Sequence, residues 1–325
     1  MNSPCLFSEK DKIRIVWGVR SKCNMKCKHC SANFREEMKE VMGKKDDYRR
    51  VLADMGKSGV GEIYLSGGEP LLLDSIFDII KFGKENNITI TLGTNGAILD
   101  EEKVKRLRDA GVDKVFMSLD HYQEEKHDFL RNGKVFKKAV KGIEYLKKYG
   151  IYTRVDSVIW KDNYQDLDNF VNFCKNLGVN EITFAWTMKV GRAIENDSIL
   201  PPKSEYFKVG EKLKELKKKY TMPKISYHRF ERFDKKYCDC PGGKKIFYMS
   251  PAGKVSPCFW INTLLPDFFT EKNIFEEKVS NLFRDKKIKK FIEMEQKRYK
   301  DFGPGCPATC LIENNKFHSK DPLLV

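Results

Sequence analysis

The sequence predicts an α/β protein in which a parallel sheet with covering helices is followed by a small cysteine-rich module. Three observations carry this reading. Apolar segments with the period of strands alternate with segments at helical spacing over residues 12–190. Glycines close the helical segments, as left-handed caps require. Beyond Gly191 the alternation stops, and five of the chain's ten cysteines fall from Cys238 to Cys310.

Ile13, Ile15, Trp17 and Val19 alternate as a first strand does. Apolar runs at residues 63–65, 88–92, 115–119, 152–159 and 182–186 supply five more strands. Helical patterns separate them: Leu107 and Ala110 closed by Gly111, and Val140, Ile143 and Leu146 closed by Gly150. Strands joined through helices imply a parallel sheet with right-handed crossovers. An open sheet, a full barrel and a partial barrel share this periodicity. Pro201-Pro202 then breaks the chain, an amphipathic helix is predicted at 204–220, and Pro223 marks another break. Residues 246–249 and 254–255 flank Pro251-Ala252-Gly253, a hairpin signal, and a long helix leads to the last two cysteines. The expected division is a core at 1–200, a linker with its helix at 201–237, and the cysteine-bearing module at 238–325.

No stretch is long and apolar enough to span a bilayer, and residues 1–15 lack the apolar core of a signal peptide. The chain is therefore expected in the cytoplasm, where thiols seldom pair as disulfides. Its clustered cysteines then read as metal ligands. The formal charge of +15 invites a nucleic-acid reading. Much of it lies at 212–219 and 284–300, where Leu213, Leu216, Ile288, Phe291 and Ile292 recur at helical spacing. A solvated helical face is the plainer explanation, and an acidic substrate stays open.

Cys23, Cys27 and Cys30 form a C-x3-C-x2-C loop directly after the first strand. Three thiolates on one short loop can ligate three irons of a cubane, which is normally held by four. Something else would then complete the fourth iron. Zinc is the competing reading, although a structural zinc site asks for a fourth protein ligand.

This spacing resembles the signature of the radical S-adenosylmethionine superfamily, and the resemblance runs past the motif. Ser66-Gly67-Gly68-Glu69-Pro70 resembles the family's Gly-Gly-Glu-Pro segment. Thr94-Asn95-Gly96, Ser118-Leu119-Asp120, His127-Asp128-Phe129-Leu130-Arg131 and Gly191-Arg192-Ala193 resemble later segments. All lie at or beyond the carboxyl ends of strands, where α/β folds place ligands. The resemblance implies a partial (β/α)6 barrel, a [4Fe-4S] cluster on Cys23, Cys27 and Cys30, and S-adenosylmethionine as cofactor. It implies that Gly67, Gly68 and Glu69 receive the methionine amino group, glycine admitting the ligand to the backbone. By the same resemblance the backbone of His29 meets adenine. Asn95, Ser118 and Asp120 are candidates for ribose or carboxylate, and Arg154 for the carboxylate. Plainer roles stand beside these: a turn for Asn95, a helix cap for Asp120, and a solvent-facing strand position for Arg154.

Cys240-Pro241-Gly242-Gly243, then Gly253 and Cys258 at a C-x12-G-x4-C spacing, resembles the start of SPASM and Twitch auxiliary-cluster domains. Cys306 and Cys310 would complete four ligands for a second [4Fe-4S] cluster. The cysteine count falls short of a full SPASM domain and suits the Twitch form. Cys238 sits two residues before Cys240, as an alternative ligand, a candidate hydrogen-atom donor, or a passive thiol. Four cysteines also suit structural zinc. Cys174 falls on the stripe Leu167, Phe170, Val171 and Leu177 of a helix and reads as core, and Cys5 as part of a terminus.

What the resemblance implies is reductive cleavage of S-adenosylmethionine to a 5′-deoxyadenosyl radical that removes a hydrogen atom from substrate. The electron would come from a flavodoxin or ferredoxin. The chain reaches Cys23 early, which suggests no N-terminal leader-binding domain. A peptide or protein substrate is expected, undergoing crosslinking, oxidation or epimerisation, with a small-molecule oxidoreductase as the alternative. A zinc-binding nucleic-acid adaptor is the distant one, and it leaves Gly-Gly-Glu-Pro unexplained.

Overall fold

The computed structural model describes residues 12–31, 40–228 and 240–324. Their strands are β1 (Ile13–Arg20), β2 (Val60–Gly67), β3 (Thr89–Thr94), β4 (Lys114–Ser118), β5 (Tyr152–Ile159), β6 (Glu181–Trp186), β7 (Lys224–His228), β8 (Ile246–Met249) and β9 (Val255–Ser256). The helices are α1 (Lys45–Lys57), α2 (Ile76–Glu85), α3 (Glu101–Ala110), α4 (Glu124–Arg131), α5 (Phe136–Lys148) and α6 (Leu167–Leu177). They continue with α7 (Tyr206–Lys219), α8 (Phe259–Leu264), α9 (Val279–Leu282), α10 (Lys286–Phe302) and α11 (Pro307–Asn314). The α/β class and the six alternating strands are as the sequence predicts. No helix among the described residues is long and apolar enough to cross a membrane.

The chain forms two compact units, the division falling inside β3. One holds the described residues within Met1–Lys22, Phe34–Thr91 and Lys236–Val325; the other holds Cys23–Asn33 and Leu92–Lys235. In the first, β1 pairs in parallel with β2 on one side and β8 on the other, and β9 pairs antiparallel with β8. The predicted hairpin is therefore real, and its first strand lies beside β1. The core of this unit runs from Ile15 and Trp17 through Ile63 and Leu65 to Phe247 and Met249, all buried. Tyr48 of α1 bridges the rings of Trp17 and Phe275.

In the second unit β4, β5, β6 and β7 pair in parallel in that order. Alternation decides which faces are buried: Thr153, Val155, Ser157 and Ile159 point inward along β5. Asp100 caps α3 by accepting the Lys103 N–H at 2.8 Å, and Gly111 closes it at φ 87°. Cys174 is fully buried on α6, as the stripe predicts, and burial pushes its thiol up. Strand β7 was not foreseen. It is short, follows a proline, and alternates buried Ile225 and Tyr227 with Lys224, Ser226 and His228.

Candidate functional site

The glycines after β2 meet protein backbone. Gly68 N–H donates to Arg20 O at 2.7 Å, and Glu69 N–H to Lys22 O at 3.1 Å. A Cβ on Gly67 would stand 2.3 Å from Arg20 O, and one on Gly68 2.2 Å from Lys22 O. Glycine is thus required for two strand ends to lie together, a reason additional to ligand approach. Gly67 also has φ 129°. Glu69 is fully buried and its carboxylate accepts the Leu71 N–H at 3.1 Å. Sequence reasoning missed Glu40, whose Oε1 accepts the amides of Ser21 at 2.6 Å and Lys22 at 3.1 Å. Burial works against that charge, but the Ser21 hydroxyl and the two amides hold its carboxyl below the usual range. Glu40 therefore pins the residues that lead in sequence to Cys23.

The three-cysteine loop lies in the other unit. Cys27 is buried, Cys30 half-buried and Cys23 exposed, and none is in a disulfide. Each of two sulfurs faces N–H donors. Cys23 Sγ accepts the Met25 N–H at 3.4 Å and faces Asn95 Nδ2 at 3.8 Å. Cys27 Sγ faces Arg131 Nη1 at 3.9 Å. Asn95 is tied further into the loop, donating to Asn24 Oδ1 at 2.8 Å and accepting from the Ala97 N–H at 2.8 Å.

The loop backbone is strapped from outside. Lys28 N–H donates to Leu130 O at 3.0 Å, Arg192 N–H to Cys30 O at 3.0 Å, and Arg192 Nε to Cys27 O at 2.8 Å. A Cβ on Gly191, at φ 55°, would come within 2.3 Å of Cys30 O. The Gly-Arg-Ala segment is thus a clasp on the cysteine loop. Arg192 and Arg131 sit in segments the sequence singled out, but a lone basic residue gave no sign of its role.

Behind the loop lies a buried charged network. Asp120 is fully buried, with Oδ2 accepting from Arg131 Nε at 2.6 Å and Oδ1 from the Val158 N–H at 3.0 Å. Its own N–H donates to His127 Nδ1 at 3.2 Å. Burial alone would raise the Asp120 pKa; the Arg131 charge outweighs it and holds the carboxyl down at about 2. Burial, then Arg131, lowers His29 to about 3, so this ring is neutral at pH 7. His29 Nδ1 has no hydrogen-bond partner among the described residues. Asp120 is therefore committed to protein partners. So is Arg154, which makes a two-point contact with Asp156 at 2.6 and 3.0 Å over the Phe116 ring. Ser118 ends β4 half-buried, in register with Asp156.

The C-terminal cysteines gather in the first unit. Cys240, Cys258 and Cys306 pack against Ile261, Phe268, Phe291 and Ala308. Cys258 caps α8, accepting the Ile261 N–H at 3.3 Å; Cys306 immediately precedes α11, its N–H donating to Asp321 Oδ2 at 2.8 Å. Burial, then Cys258 and Cys306, pushes the Cys240 thiol well up, and burial lifts Cys310 to about 11. A metal deprotonates a coordinating thiol, so the raised pKa values of Cys240 and Cys310 do not bar them as ligands. Cys238 and Cys5 lie outside the described residues. Among those described, no three His, Cys, Asp or Glu side chains converge as ligands of a single ion would.

The first set of thiols suits iron–sulfur ligation, with N–H donors facing two of its three sulfurs, and in the second set Cys240, Cys258 and Cys306 pack against apolar side chains. Comparison with known proteins agrees for the first. Residues 19–174 match the profile described as the Radical SAM superfamily. The chain is similar to the AdoMet-dependent heme synthase of Methanosarcina barkeri, 24% identical over 96% of this chain and 95% of that protein. It is 25% identical to the antilisterial bacteriocin subtilosin biosynthesis protein AlbA of Bacillus subtilis, over 95% of this chain and 70% of that one. Its fold is similar to the crystal structure of Streptococcus suis SuiB bound to S-adenosylmethionine, with TM-score 0.78 and 18% identity over 97% of this chain and 77% of that one. The profile match takes in the cysteine loop and the Gly-Gly-Glu-Pro turn together, and on that footing residues 19–174 form a radical SAM domain.

Proposed function

We propose that this chain holds a [4Fe-4S] cluster on Cys23, Cys27 and Cys30, binds S-adenosylmethionine, and acts on a peptide or protein substrate. One observation carries the reading: three thiols on a single loop, two of them facing N–H donors, with the loop backbone clasped by Arg192 and Leu130. When bound, cluster and cofactor supply a 5′-deoxyadenosyl radical able to take hydrogen from an unactivated C–H bond.

The protein's part is to hold and aim. Arg131 and Asn95 orient sulfurs, and Glu40 fixes the approach of the chain to Cys23. Gly67, Gly68 and Glu69 are proposed to offer strand-end backbone to the methionine amino group, His29 to meet adenine, and Ser118 and Asn95 to meet ribose or carboxylate. Asp120 and Arg154 are proposed as positioning residues, because their charges are already paired with Arg131 and Asp156.

Cys240, Cys258, Cys306 and Cys310 are proposed to hold a second [4Fe-4S] cluster within an auxiliary domain at 238–325 that carries electrons. A flavodoxin or ferredoxin would supply the first electron, in a reducing cytoplasm. The peptide reading draws support from SuiB, also crystallised bound to precursor peptide SuiA. A second reading, a small molecule on the way to haem, is favoured by the near end-to-end match to the heme synthase.

The test is anaerobic turnover of the reconstituted chain with S-adenosylmethionine and reductant. Formation of 5′-deoxyadenosine is expected. Stimulation by a short peptide from a neighbouring reading frame supports the peptide reading, and stimulation by iron porphyrins supports the second. Stoichiometric zinc with little iron overturns both.

A further inference from the structure

Arg298 on α10 is fully buried, and so is Glu295 one turn before it. Nε and Nη2 of Arg298 grip the Glu295 carboxylate at 2.7 and 2.8 Å, and Nη2 also donates to Gly305 O at 2.9 Å. Gly305 immediately precedes Cys306 in sequence. These bonds account for the Nε and Nη2 protons. Nη1, with two N–H groups, has no hydrogen-bond partner among the described residues. A buried guanidinium nitrogen without an acceptor is rare, because it gives up water and gains nothing.

The surroundings indicate what is missing. Burial opposes the Arg298 charge, but Glu295, then Cys310 and Cys240, raise its affinity for its proton. Two of the four C-terminal thiols thus lie within electrostatic reach of this guanidinium. Ion pairing with Glu295 cancels much of the charge and locks the plane of the group, so Arg298 keeps the two N–H groups of Nη1 to donate. The chemistry that fits is a sulfur-rich, anionic group.

We propose that Arg298 is a positioning residue of the second centre, donating from Nη1 to the sulfur of a cluster held by Cys240, Cys258, Cys306 and Cys310. This rests on the reading of those cysteines as cluster ligands. Hydrogen bonds to cluster sulfurs help set reduction potential. The donor favours the reduced, more negative state, and Glu295 limits how far.

The experiment uses the full chain with Cys23→Ala, Cys27→Ala and Cys30→Ala, so that only the second centre loads. Iron is counted, and the midpoint potential is read by EPR-monitored titration. About four irons per chain are expected. In that background Arg298→Met should lower the midpoint by about tenfold in the reduced-to-oxidised ratio, about 59 mV for one electron. Arg298→Lys should recover part of the shift. Glu295→Gln, which keeps the guanidinium and frees its charge, should move the midpoint upward and serves if Arg298→Met does not fold. Full iron with midpoints unmoved in these variants overturns the role of Arg298 while the cluster reading stands. No iron in the parent overturns the cluster reading itself.

Discussion

The two cysteine centres are built in opposite ways. Cys23, Cys27 and Cys30 share one short loop, and most of what steadies it comes from far along the sequence: Asn95, Leu130, Arg131 and Arg192. Cys240, Cys258, Cys306 and Cys310 are spread along the chain: Cys258 caps α8, the Cys306 N–H donates to Asp321 Oδ2, and the Ser319 carbonyl lies 3.3 Å from Cys310 Sγ. The compact motif therefore depends on remote residues, while three cysteines of the dispersed one have hydrogen-bond partners within fifteen residues. Both are backed by a buried arginine–carboxylate pair, Arg131 with Asp120 and Arg298 with Glu295.

The largest effect separates the centres outright. Two four-iron clusters mean about eight irons in the reconstituted chain. Replacing Cys23, Cys27 and Cys30 by alanine should remove about half and abolish 5′-deoxyadenosine formation. Replacing Cys240, Cys258, Cys306 and Cys310 should remove the other half yet leave cofactor cleavage measurable. Equal loss of cleavage in both sets would erase the distinction.

The dependence on remote residues is tested next at Arg131. Arg131→Met leaves Asp120 buried and charged with no counterion, a change that costs about 3–5 kcal/mol in comparable buried pairs. Denaturant melts of the apoprotein should show it. The double variant Arg131→Met, Asp120→Asn should recover most of the loss. Failure to recover would mean that Arg131 stabilises through packing alone.

The six strands were legible because each is written in local pattern, alternation closed by glycines, and the first cysteine loop stood out by its spacing. What was not legible arises only when distant residues meet. Nothing in a chain with 61 lysines and arginines marks Arg131 as the one aimed at a sulfur. Asp120 was visible in sequence as a strand-end residue, whereas its partner Arg131 on α4 was not, and the pairing of Arg154 with Asp156 two residues along β5 went unread. Arg298 had a signal that went unused. Ile288, Phe291, Glu295 and Arg298 share the buried stripe of α10, and two charges on an apolar stripe announce a buried pair.

Acid should weigh on the unit that holds the first loop. His127 is fully buried, and burial holds its pKa down at about 4 against 6.5. Between those values the unfolded chain binds a proton that the folded chain refuses, so stability rises with pH there and is lost on acidification. The size is about 3 kcal/mol at 1.36 kcal/mol per unit. His29, held at about 3, pushes the same way, and Asp120, at about 2, joins below its unfolded value near 4. His127→Asn, which keeps an acceptor for the Asp120 N–H and does not titrate, should flatten the fall between pH 6.5 and 4 without removing it. An unchanged slope would mean that His127 does not contribute.

The smallest effect falls on the clasp. Gly191 has φ 55°, a region that costs other residues about 1–3 kcal/mol. The strain is not its only load, because a methyl group would press on Cys30 O at 2.3 Å, and that carbonyl accepts the Arg192 N–H. Gly191→Ala should therefore lower the melting temperature by a few degrees and slow iron uptake at Cys23, Cys27 and Cys30. Uptake at Cys240, Cys258, Cys306 and Cys310 should not change, since three of them have hydrogen-bond partners near in sequence. Gly150→Ala is the control: Gly150 has a similar φ of 67° but no atom within 4 Å of its would-be Cβ. It should cost stability through backbone strain alone and leave loading rates at both centres as they were. If Gly150→Ala slows loading of the first centre as much as Gly191→Ala, general destabilisation and not the clasp controls that loop. If only Gly191→Ala does so, the compact motif takes its geometry from the turn at Gly191–Ile194 that follows β6.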